Sequence, residues 1–412
     1  MNKTPAVRFK GFTKDWEQRK LEDISDVRDG THDSPVYQDE GHPFVTSKNV
    51  KNGYINFDGI QYISDYDFFE INKRSKVDIN DILMGMIGTI GNLALIRTEP
   101  NFAIKNVALI KDTKNVSYLY LYHYLKSSNI ERQLLFGMDG GTQKFVSLKK
   151  IRELKIQIPD DDEQIKLGTF MESLDNLIVF YQRKYEKLVN IKKSMLYKMF
   201  PQNGSKVPEI RFTGFTDDWE QRKLSEIATM HARIGWQNLR KSEFLNSGDY
   251  YLITGTDFVD GEVDLVNCHY VTKDRYDQDP NIQIENGSIL ITKDGTLGKV
   301  AYVKGLEKPA TLNAGVFNVL IREKKRVYGK YLFQYLKAPF LLDYVAKKAT
   351  GGTIKHLNQE ILVDFPVVLP KYDEQVLLGD TFENIDNLIT LHHRKLEKLK
   401  QLKQAMLHKM FV

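Results

Sequence analysis

The sequence lacks the features that mark several protein classes. Its 412 residues contain a single cysteine, Cys268, which excludes a disulfide framework and a zinc cluster built from thiolates. No apolar run approaches the ~20 residues that cross a bilayer, and no hydrophobic signal segment follows Met1. With 59 basic and 54 acidic residues the net charge is only +5, so neither sign dominates. These absences predict a cytoplasmic protein without a membrane segment or a metal cluster.

Motifs of the common catalytic classes are also absent. The chain contains no G-x-x-x-x-G-K-[ST] phosphate loop, no H-E-x-x-H zinc motif and no G-x-S-x-G nucleophile elbow. The loop Gly88–Gly91 could cradle a phosphate, but a tight turn between strands is the favoured interpretation. The sequence therefore indicates no catalytic, cofactor-binding or metal-binding residue, and the missing motifs disfavour an enzyme.

The sequence instead repeats itself, with a period of about 207 residues. Residues 5–25 match residues 208–228 at 14 of 21 positions, and residues 163–200 match residues 374–411 at 20 of 38 positions. Solenoid repeats are far shorter, at roughly 20–50 residues. The repeating unit is therefore a whole domain with an attached helix, and the turn-forming residues Pro201–Ser205 mark the joint between the two copies.

Within each copy the hydrophobic pattern changes partway. Short β-rich runs separated by glycines predict a mixed α/β domain. Apolar residues then follow at steps of three and four, as in a coiled coil. The predicted helical seams consist of Leu174, Leu177, Tyr181, Tyr185, Leu188, Ile191, Met195 and Met199 in the first copy, and Ile385, Leu388, His392, Leu396, Leu399, Leu402, Met406 and Met410 in the second.

One apolar seam on each helix requires a partner helix. Two helices of equal length most simply pair with each other in antiparallel orientation, which gives the chain a pseudo-two-fold axis. By that symmetry, Phe411 should pack on the first domain as Phe200 packs on the second, bringing the chain ends together. The predicted fold class is α/β: two mixed α/β domains in tandem repeat, separated by two long antiparallel coiled-coil helices. The predicted boundaries are 1–158 for the first domain, 159–200 for the first spacer helix, 201–207 for the joint, 208–369 for the second domain and 370–412 for the second spacer helix.

The two copies share a frame but differ in the loops that follow it. The segment W-E-Q-R-K-L that begins at Trp16 recurs unchanged at Trp219. The next segments differ completely, being Asp29–Pro35 in the first copy and Arg233–Leu239 in the second. A shared frame with divergent loops is what two readers of different targets would need.

Polar clusters follow predicted strands at Thr46–Asn49 and Thr254–Asp257. Lysine and asparagine side chains can bind the edges of guanine and adenine in the DNA major groove. Ordinary turn chemistry selects many of the same residues. From the residues alone, base reading and turn formation are about equally supported.

Together these motifs resemble the specificity subunit of type I restriction-modification enzymes. The resemblance covers essentially the whole chain. It rests on the repeated W-E-Q-R-K-L frame, the D-G-T-H and R-I-G-W-Q segments, the G-T-I-G and G-T-L-G loops, the G-G-T loops, and the P-x-x-x-E-Q helix openings at Pro159 and Pro370. It implies two target-recognition domains, each reading half of a bipartite DNA sequence, separated by an antiparallel helical spacer.

The resemblance also implies partners and cofactors. Two modification subunits, which bind S-adenosylmethionine and methylate adenine, would dock on this chain, and restriction subunits would join them on double-stranded DNA. S-adenosylmethionine, ATP and Mg²⁺ would all belong to the partner subunits, and none to this chain. The absence of an N-P-P-[FY] methyltransferase segment fits this division, in which the chain reads the sequence and its partners catalyse.

By the family's pattern, the DNA contacts would lie in the loops that differ between the copies and in the glycine-flanked basic loops. In the first domain the candidates are Thr31, His32, Thr46, Lys48, Asn49, Gln143 and Lys144. In the second they are Arg233, Trp236, Gln237, Thr256, Lys293 and Lys355. The cationic candidates could equally contact phosphates, which position DNA without specifying its sequence.

Two other functions are compatible with the sequence. A structural adaptor with paired protein-binding domains would show no salt-sensitive affinity for DNA, and an enzyme with an unrecognised site would methylate DNA by itself. The favoured expectation is a DNA-specificity subunit that recognises a bipartite target and directs methylation and restriction by its partners.

Overall fold

The computed structural model describes residues 4–138, 144–202, 204–348 and 357–411. The chain forms two compact units. Unit 1 comprises Met1–Gln182 and Lys395–Val412, and unit 2 comprises Arg183–Arg394. Each unit thus contains one globular region together with a length of both long helices.

Unit 1 is a mixed α/β structure. Its elements are β1 (Glu17–Lys20), α1 (Leu21–Ile24), β2 (Val27–Asp29), β3 (His42–Thr46), β4 (Gln61–Ile63), α2 (Asp65–Ser75), β5 (Ile82–Gly85), β6 (Leu93–Leu95), β7 (Ala103–Lys105), β8 (Val107–Ile110), α3 (Tyr118–Tyr124), α4 (Ser128–Phe136), α5 (Leu148–Arg152), β9 (Lys155–Ile158) and the start of the long helix α6 (Asp161–Lys198). One sheet has the order β2-β8-β5-β6 and is antiparallel, a second has the order β4-β3-β7 with β3 and β7 parallel, and β1 pairs with β9.

Strand β5 is buried on both faces, which explains its uninterrupted apolar sequence. Successive side chains of a strand point to opposite faces. Leu83 accordingly joins Val45 and Ile104 in one cluster, whereas Ile82 and Met84 face the cluster formed with the helices. The sheet that carries the glycine loop of unit 1 therefore lies between two apolar layers.

Unit 2 repeats this plan with longer strands at several positions. Its elements are the end of α6, β10 (Glu220–Lys223), α7 (Leu224–Ile227), β11 (Ala228–His231), β12 (Tyr250–Ile253), β13 (Phe258–Val259), β14 (Glu262–Val263), β15 (His269–Val271), α8 (Lys273–Asp277), β16 (Gln283–Ile284), β17 (Ile289–Thr292), β18 (Val300–Tyr302), β19 (Ala310–Leu312), β20 (Val316–Ile321), α9 (Gly329–Lys337), α10 (Pro339–Lys348), α11 (Gln359–Val363), β21 (Pro366–Leu369) and the start of the long helix α12 (Tyr372–Met410). The sheets have the orders β11-β20-β17-β18-β14-β13 and β15-β12-β19-β16, and β10 pairs with β21.

The long helices pack antiparallel within unit 1. Asp175 of α6 forms an ion pair with Lys403 of α12. Further along α6, the ring of Tyr181 lies 4.7 Å from the Nζ atom of Lys395. Residue numbers rise on one helix as they fall on the other, so the two helices run in opposite directions here.

The same arrangement occurs within unit 2. Lys192 of α6 donates to both carboxylate oxygens of Asp386 on α12, at 2.6 and 2.7 Å. The rings of Tyr185 and His393 lie 5.2 Å apart. The predicted antiparallel helix pair and the mixed α/β fold class are therefore confirmed.

The residues buried between the two long helices differ in part from the predicted seam. Leu174 and Leu396 are buried as expected, but Leu177 and Leu388 are 44% and 45% exposed. Lys192, which the heptad pattern leaves outside the seam, is buried through its contact with α12. The apolar stripe of each helix is thus wider than the surface that the partner helix covers.

The end of α12 packs into the core of unit 1. The ring of Phe411 lies 5.8 Å from Tyr120 and 6.0 Å from Tyr124. Just before it, the carbonyl of Lys409 accepts a hydrogen bond from the amide of Val7 at 3.0 Å. The first and last described segments of the chain therefore lie side by side, as the repeat predicts.

The end of α6 packs into the core of unit 2 in the same way. The ring of Phe200 lies 5.7 Å from Tyr331 and 5.5 Å from Tyr335. The carbonyl of Lys198 accepts a hydrogen bond from the amide of Ile210 at 2.9 Å. Each globular region thus receives one helix start and the end of the other helix.

The P-x-x-x-E-Q motif joins the start of α6 to the rest of unit 1. Glu163 is fully buried and accepts two hydrogen bonds from Arg8, at 2.6 and 2.7 Å, and one from the indole of Trp16 at 3.1 Å. The next residue, Gln164, accepts from the amide of Ser117 at 2.9 Å, at the start of α3. In unit 2, Glu374 pairs with Arg211 at 2.8 Å and Gln375 accepts from the amide of Tyr328.

The domain boundaries given above stay predictions, since the compact units divide the chain along a different line, within the helices. Across the described ranges, no helix combines the length and the apolar character needed to cross a bilayer.

Candidate nucleic-acid interface

A tight polar turn follows strand β3 in unit 1. The side-chain oxygen of Asn49 accepts hydrogen bonds from the amide of Thr46 at 3.0 Å and from its hydroxyl at 2.7 Å. Asn49 is buried, whereas Lys48 is exposed. Asn49 therefore closes the turn, and Lys48 is the side chain that the turn presents to solvent.

An equivalent turn follows strand β12 in unit 2. The carboxylate of Asp257 accepts from the amide of Thr254 at 2.7 Å and from its hydroxyl at 3.0 Å. Burial raises the pKa of Asp257 above its ordinary value. Thr256 is exposed and occupies the position that Lys48 holds in unit 1. The two turns share one architecture and present different side chains.

A glycine loop follows β5 in unit 1 and β17 in unit 2. The amide of Gly91 donates to the carbonyl of Gly85 at 3.0 Å, and that of Gly298 donates to Thr292 at 2.9 Å. Gly88 and Gly91 have φ of +72° and +78°, and their counterparts in unit 2 have nearly the same values. These left-handed conformations favour glycine, which explains why the pattern recurs in both copies.

In unit 1 the polar turn and the glycine loop are tied together by Ser47. Its hydroxyl accepts from the amides of Met86 and Ile87, at 3.0 and 3.4 Å, and donates to the carbonyl of Asn106. Thr89 of the glycine loop donates to the carbonyl of Ser47. The turn that carries Lys48 therefore sits directly against the glycine loop.

The D-G-T-H segment adds His32 to this surface. Its ring nitrogens lie 2.9 Å from the carboxylate of Asp29 and 2.7 Å from the side-chain oxygen of Asn106. A Cβ atom on Gly30 would lie 2.2 Å from the carbonyl oxygen of Ile104, so only glycine fits there. Because Asn106 also bonds to Ser47, the structure brings Thr31, His32, Thr46 and Lys48 to one region of unit 1.

The residues that follow the G-G-T segment bond to the chain just before the glycine loop. In unit 1 the amide of Val146 donates to the carbonyl of Met86 at 2.9 Å, which places the exposed Lys144 close by. In unit 2 the amide of Leu357 donates to the carbonyl of Lys293 at 2.8 Å. Lys293 itself lies with its Nζ 5.6 Å from the ring centre of Phe317.

Two candidates of unit 2, Arg233 and Gln237, are buried rather than exposed. Arg233 is 2% exposed, and its guanidinium donates to the carbonyl of Leu312 at 2.9 Å, the side chain of Gln278 at 3.1 Å and the hydroxyl of Thr311 at 3.2 Å. Burial lowers the pKa of Arg233 from its ordinary value. Gln237 is buried too. In this structure the guanidinium of Arg233 holds the segment in place, and the role of Arg233 and Gln237 as DNA contacts stays a prediction.

Three candidates cannot be placed in this way. Gln143 and Lys355 lie outside the described residues, and the side chain of Trp236 is likewise not described. Sequence reasoning missed Asn106, and it did not single out Ser47 within the cluster Thr46–Asn49; these two residues join the turn, the glycine loop and His32. Asn106 has φ of +51°, a conformation in which asparagine is enriched, but no sequence motif marks it.

A separate polar cluster lies between α3 and α6. Ligand-type atoms of His123, Glu172 and Asp175 are within 4.8 Å of one another. Both carboxylates already have cationic partners, since Arg97 donates to Glu172 at 2.6 and 2.9 Å and Lys403 pairs with Asp175. The neighbouring His123 and Arg97 lower the pKa of Glu172 to about 2. The cluster is an ion-pair network that joins the helices.

Comparison with known proteins gives the family. The family model of the type I restriction modification DNA specificity domain matches residues 13–190 and 216–401, once in each copy of the repeat. The chain belongs to this family. It is a DNA-recognition component of a type I system rather than a catalytic one, and a purely structural adaptor is not favoured.

Individual relatives agree over nearly the full length. The putative MjaX specificity subunit of Methanocaldococcus jannaschii is 24% identical over 96% of this chain and 92% of its own length. The EcoBI specificity subunit of Escherichia coli is 21% identical over 90% of this chain and 80% of its own. Among solved structures, the S subunit of a type I restriction-modification system from M. genitalium superposes with a TM-score of 0.67, at 16% identity and 99% coverage of both chains.

Proposed function

We propose that each unit of this specificity subunit reads one half of a bipartite double-stranded DNA target. The observation that carries the proposal is the duplicated turn and glycine loop, which hold the same backbone in both units and expose different side chains. Lys48 in unit 1 and Thr256 in unit 2 occupy equivalent exposed positions. A lysine can bind guanine or a phosphate, whereas a threonine offers a hydroxyl and a methyl group.

The same recognition step directs methylation, and restriction, by partner subunits. Exposed apolar residues recur at equivalent positions of the long helices: Leu177 and Phe180 are 44% and 48% exposed, and Leu388 and Leu391 are 45% and 60% exposed. Contiguous exposed apolar surface marks interaction sites. Two equivalent patches suit two copies of one partner, the modification subunit, with restriction subunits joining later in the cytoplasm. S-adenosylmethionine, ATP and Mg²⁺ belong to those partners.

The test is reconstitution with the cognate modification subunit, followed by mapping of methylated adenines in DNA. The expected result is a bipartite motif, and DNA affinity that falls steeply with salt only in the complex. A complex with six to ten phosphate contacts loses about 10³–10⁵ in affinity between 50 and 200 mM salt.

Matched variants then locate the two readers. Lys48→Ala should relax or abolish one half of the motif, and Thr256→Ala the other half, with both complexes still assembled. Methylation without a bipartite motif, or a complex in which both variants alter the same half, would contradict the proposal.

A further inference from the structure

Unit 1 contains an open cleft whose equivalent among the described residues of unit 2 is much smaller. The cleft has a volume of about 1010 Å³ and lies between the loop Asn52–Tyr54, the helix α3, and both long helices. The equivalent space in unit 2, lined by Asp260, Glu262 and Lys337, has a volume of about 20 Å³. Because the two units otherwise repeat each other, unit 2 shows what fills this space when it is closed.

In unit 2 the space is closed by the chain's own charges. The Nζ atom of Lys337 donates to the carbonyl of Asp260 at 2.8 Å and lies 3.5 Å from the carboxylate of Asp386. Lys304 and Lys330 both pair with Glu383, at 2.6 and 2.5 Å. The cations of this space therefore have anionic partners within unit 2.

In unit 1 the corresponding loop carries no charge. The polar turn of each unit leads into a short hairpin, and the positions of Asp260 and Glu262 are held in unit 1 by Asn52 and Tyr54. Two carboxylates are thus missing from the wall of the cleft. This loop also lies farther from Lys126 than the equivalent loop lies from Lys337. A Cβ on Gly53 would have the hydroxyl of Tyr122 as its nearest contact, at 3.5 Å, whereas a Cβ on Gly261 would lie 2.5 Å from the Nζ atom of Lys337.

The lysine beside this loop is Lys126, the counterpart of Lys337, which in unit 2 is held by the main-chain carbonyl of Asp260 and by Asp386 rather than by the loop's carboxylates. The Nζ atom of Lys126 donates to the hydroxyl of Tyr122 at 2.6 Å and lies 4.0 Å from the centre of the same ring. Among the described residues no carboxylate forms an ion pair with it. An ammonium group that is removed from water without a counter-ion costs free energy, which an external anion would offset.

The surroundings of Lys126 add to this effect. Burial lowers its pKa to about 8, and the nearby cations Lys403 and Arg97 lower it further than Asp175 and Glu172 raise it. Lys400 also lines the cleft. Arg97, Lys403 and Lys400 already pair with Glu172, Asp175 and Glu397, and Glu131 also lines the cleft, so Lys126 is the lining cation that no described carboxylate pairs with. A phosphate group, which carries nearly two negative charges at neutral pH, would supply that partner.

We propose that the cleft of unit 1 binds a phosphorylated small molecule, whose phosphate is held by Lys126. The volume is at the upper end of the range for small-molecule sites, about 300–1,000 Å³. Apolar side chains such as Leu134, Val179 and Leu407 line the rest of the cleft and would cover an organic body. A DNA backbone offers no such apolar group, which favours a small ligand. The cleft borders the glycine loop, because Ile90 and Gly91 are among its lining residues, and the equivalent space in the described part of unit 2 has a volume of only about 20 Å³.

Calorimetric titration of the full chain with inorganic pyrophosphate and with AMP tests this site. We expect saturable binding at one site per chain, with AMP the tighter ligand because its nucleoside contacts the apolar wall. Lys126→Met, which keeps the length of the side chain, should weaken both ligands at least tenfold. Lys126→Arg should restore most of the affinity, and Lys337→Met in unit 2 should bind as the unaltered chain does.

The outcomes separate the possibilities. Absence of binding to either probe, or equal binding by Lys126→Met, would overturn the proposal. A third titration with duplex DNA distinguishes the source of the phosphate. If Lys126→Met weakens DNA binding in the complex with the modification subunit while neither small probe binds, Lys126 contacts the DNA backbone and the small-ligand site does not exist.

Discussion

The buried carboxylate of Glu163 offers a sharp test of how the helix start is joined to unit 1. The change Glu163→Gln keeps the shape of the side chain but removes its charge. Glu163 is fully buried and receives three hydrogen bonds, two from Arg8 and one from Trp16. A glutamine side chain has one acceptor oxygen, and its other terminal atom is a donor nitrogen. One of the three donors therefore loses its acceptor, and Arg8 loses its counter-ion.

The expected loss of stability follows from the charge of Arg8, which the substitution leaves without a partner. Breaking a buried ion pair by changing one partner costs about 3–5 kcal/mol, since the remaining charge stays out of water. Because Arg8 is slightly exposed, at 13% of its side chain, we expect the lower end, about 3 kcal/mol. With a slope of about 3 kcal/mol per molar urea, the unfolding midpoint of unit 1 should fall by about 1 M.

Glu374→Gln in unit 2 is the matched control. Glu374 pairs with Arg211 in the same geometry, at 2.8 Å for both contacts. The indole nitrogen of Trp219, however, is buried without a hydrogen-bond partner among the described residues. Glu374→Gln should therefore cost about 1 kcal/mol less than Glu163→Gln, because no indole bond to a charged acceptor is lost. Urea unfolding followed by tryptophan fluorescence measures both. Costs below about 0.5 kcal/mol for both variants, or a greater cost in unit 2, would refute the reasoning.

Three further predictions concern other parts of the structure. Phe411→Ala should destabilise unit 1 by about 3–5 kcal/mol in urea unfolding, because it empties a buried site against Tyr120; an unchanged midpoint would show that the end of α12 is not anchored. Arg97→Ala should move acid unfolding to higher pH. The carboxylate of Glu172 has a pKa of about 2, below its ordinary 4.5, so the stability that it contributes is present above pH ~4.5 and is lost as the pH falls towards 2. Circular dichroism across that window should show unfolding of the variant beginning at a higher pH than that of the unaltered chain. Gly30→Ala should disturb His32 and abolish one half-site in methylation mapping, since its Cβ would meet the carbonyl of Ile104 at 2.2 Å, whereas Gly235→Ala, with open space around it, should leave the motif intact.

The long helices show how far sequence reasoning reaches. Their apolar steps of three and four, and the proline and acidic residues before them, are local signals, and they predict α6 and α12 and their antiparallel pairing correctly. The role of Glu163 is not local. Its acidic character near a helix start fits the helix dipole, but its contacts are with Arg8 and Trp16, more than 140 positions away.

The candidate DNA contacts show the limit more clearly. Polar residues after a strand either close their own turn or face solvent, and residue type alone does not separate the two cases. Asn49 closes its turn while Lys48 beside it is exposed. As a cation in a divergent loop Arg233 is a candidate by residue type, yet its guanidinium is satisfied by carbonyl and amide oxygens inside unit 2. Only the fold brings those acceptors together.

The central claim is that the two units read separate halves of one DNA target. It is tested most directly by exchanging residues 1–158 for the equivalent region of a relative with a different target, and mapping methylated adenines after reconstitution with the modification subunit. The account predicts that one half of the motif changes to that of the relative while the other half stays as in the parent. A chimera that assembles, methylates DNA and alters both halves together would contradict it.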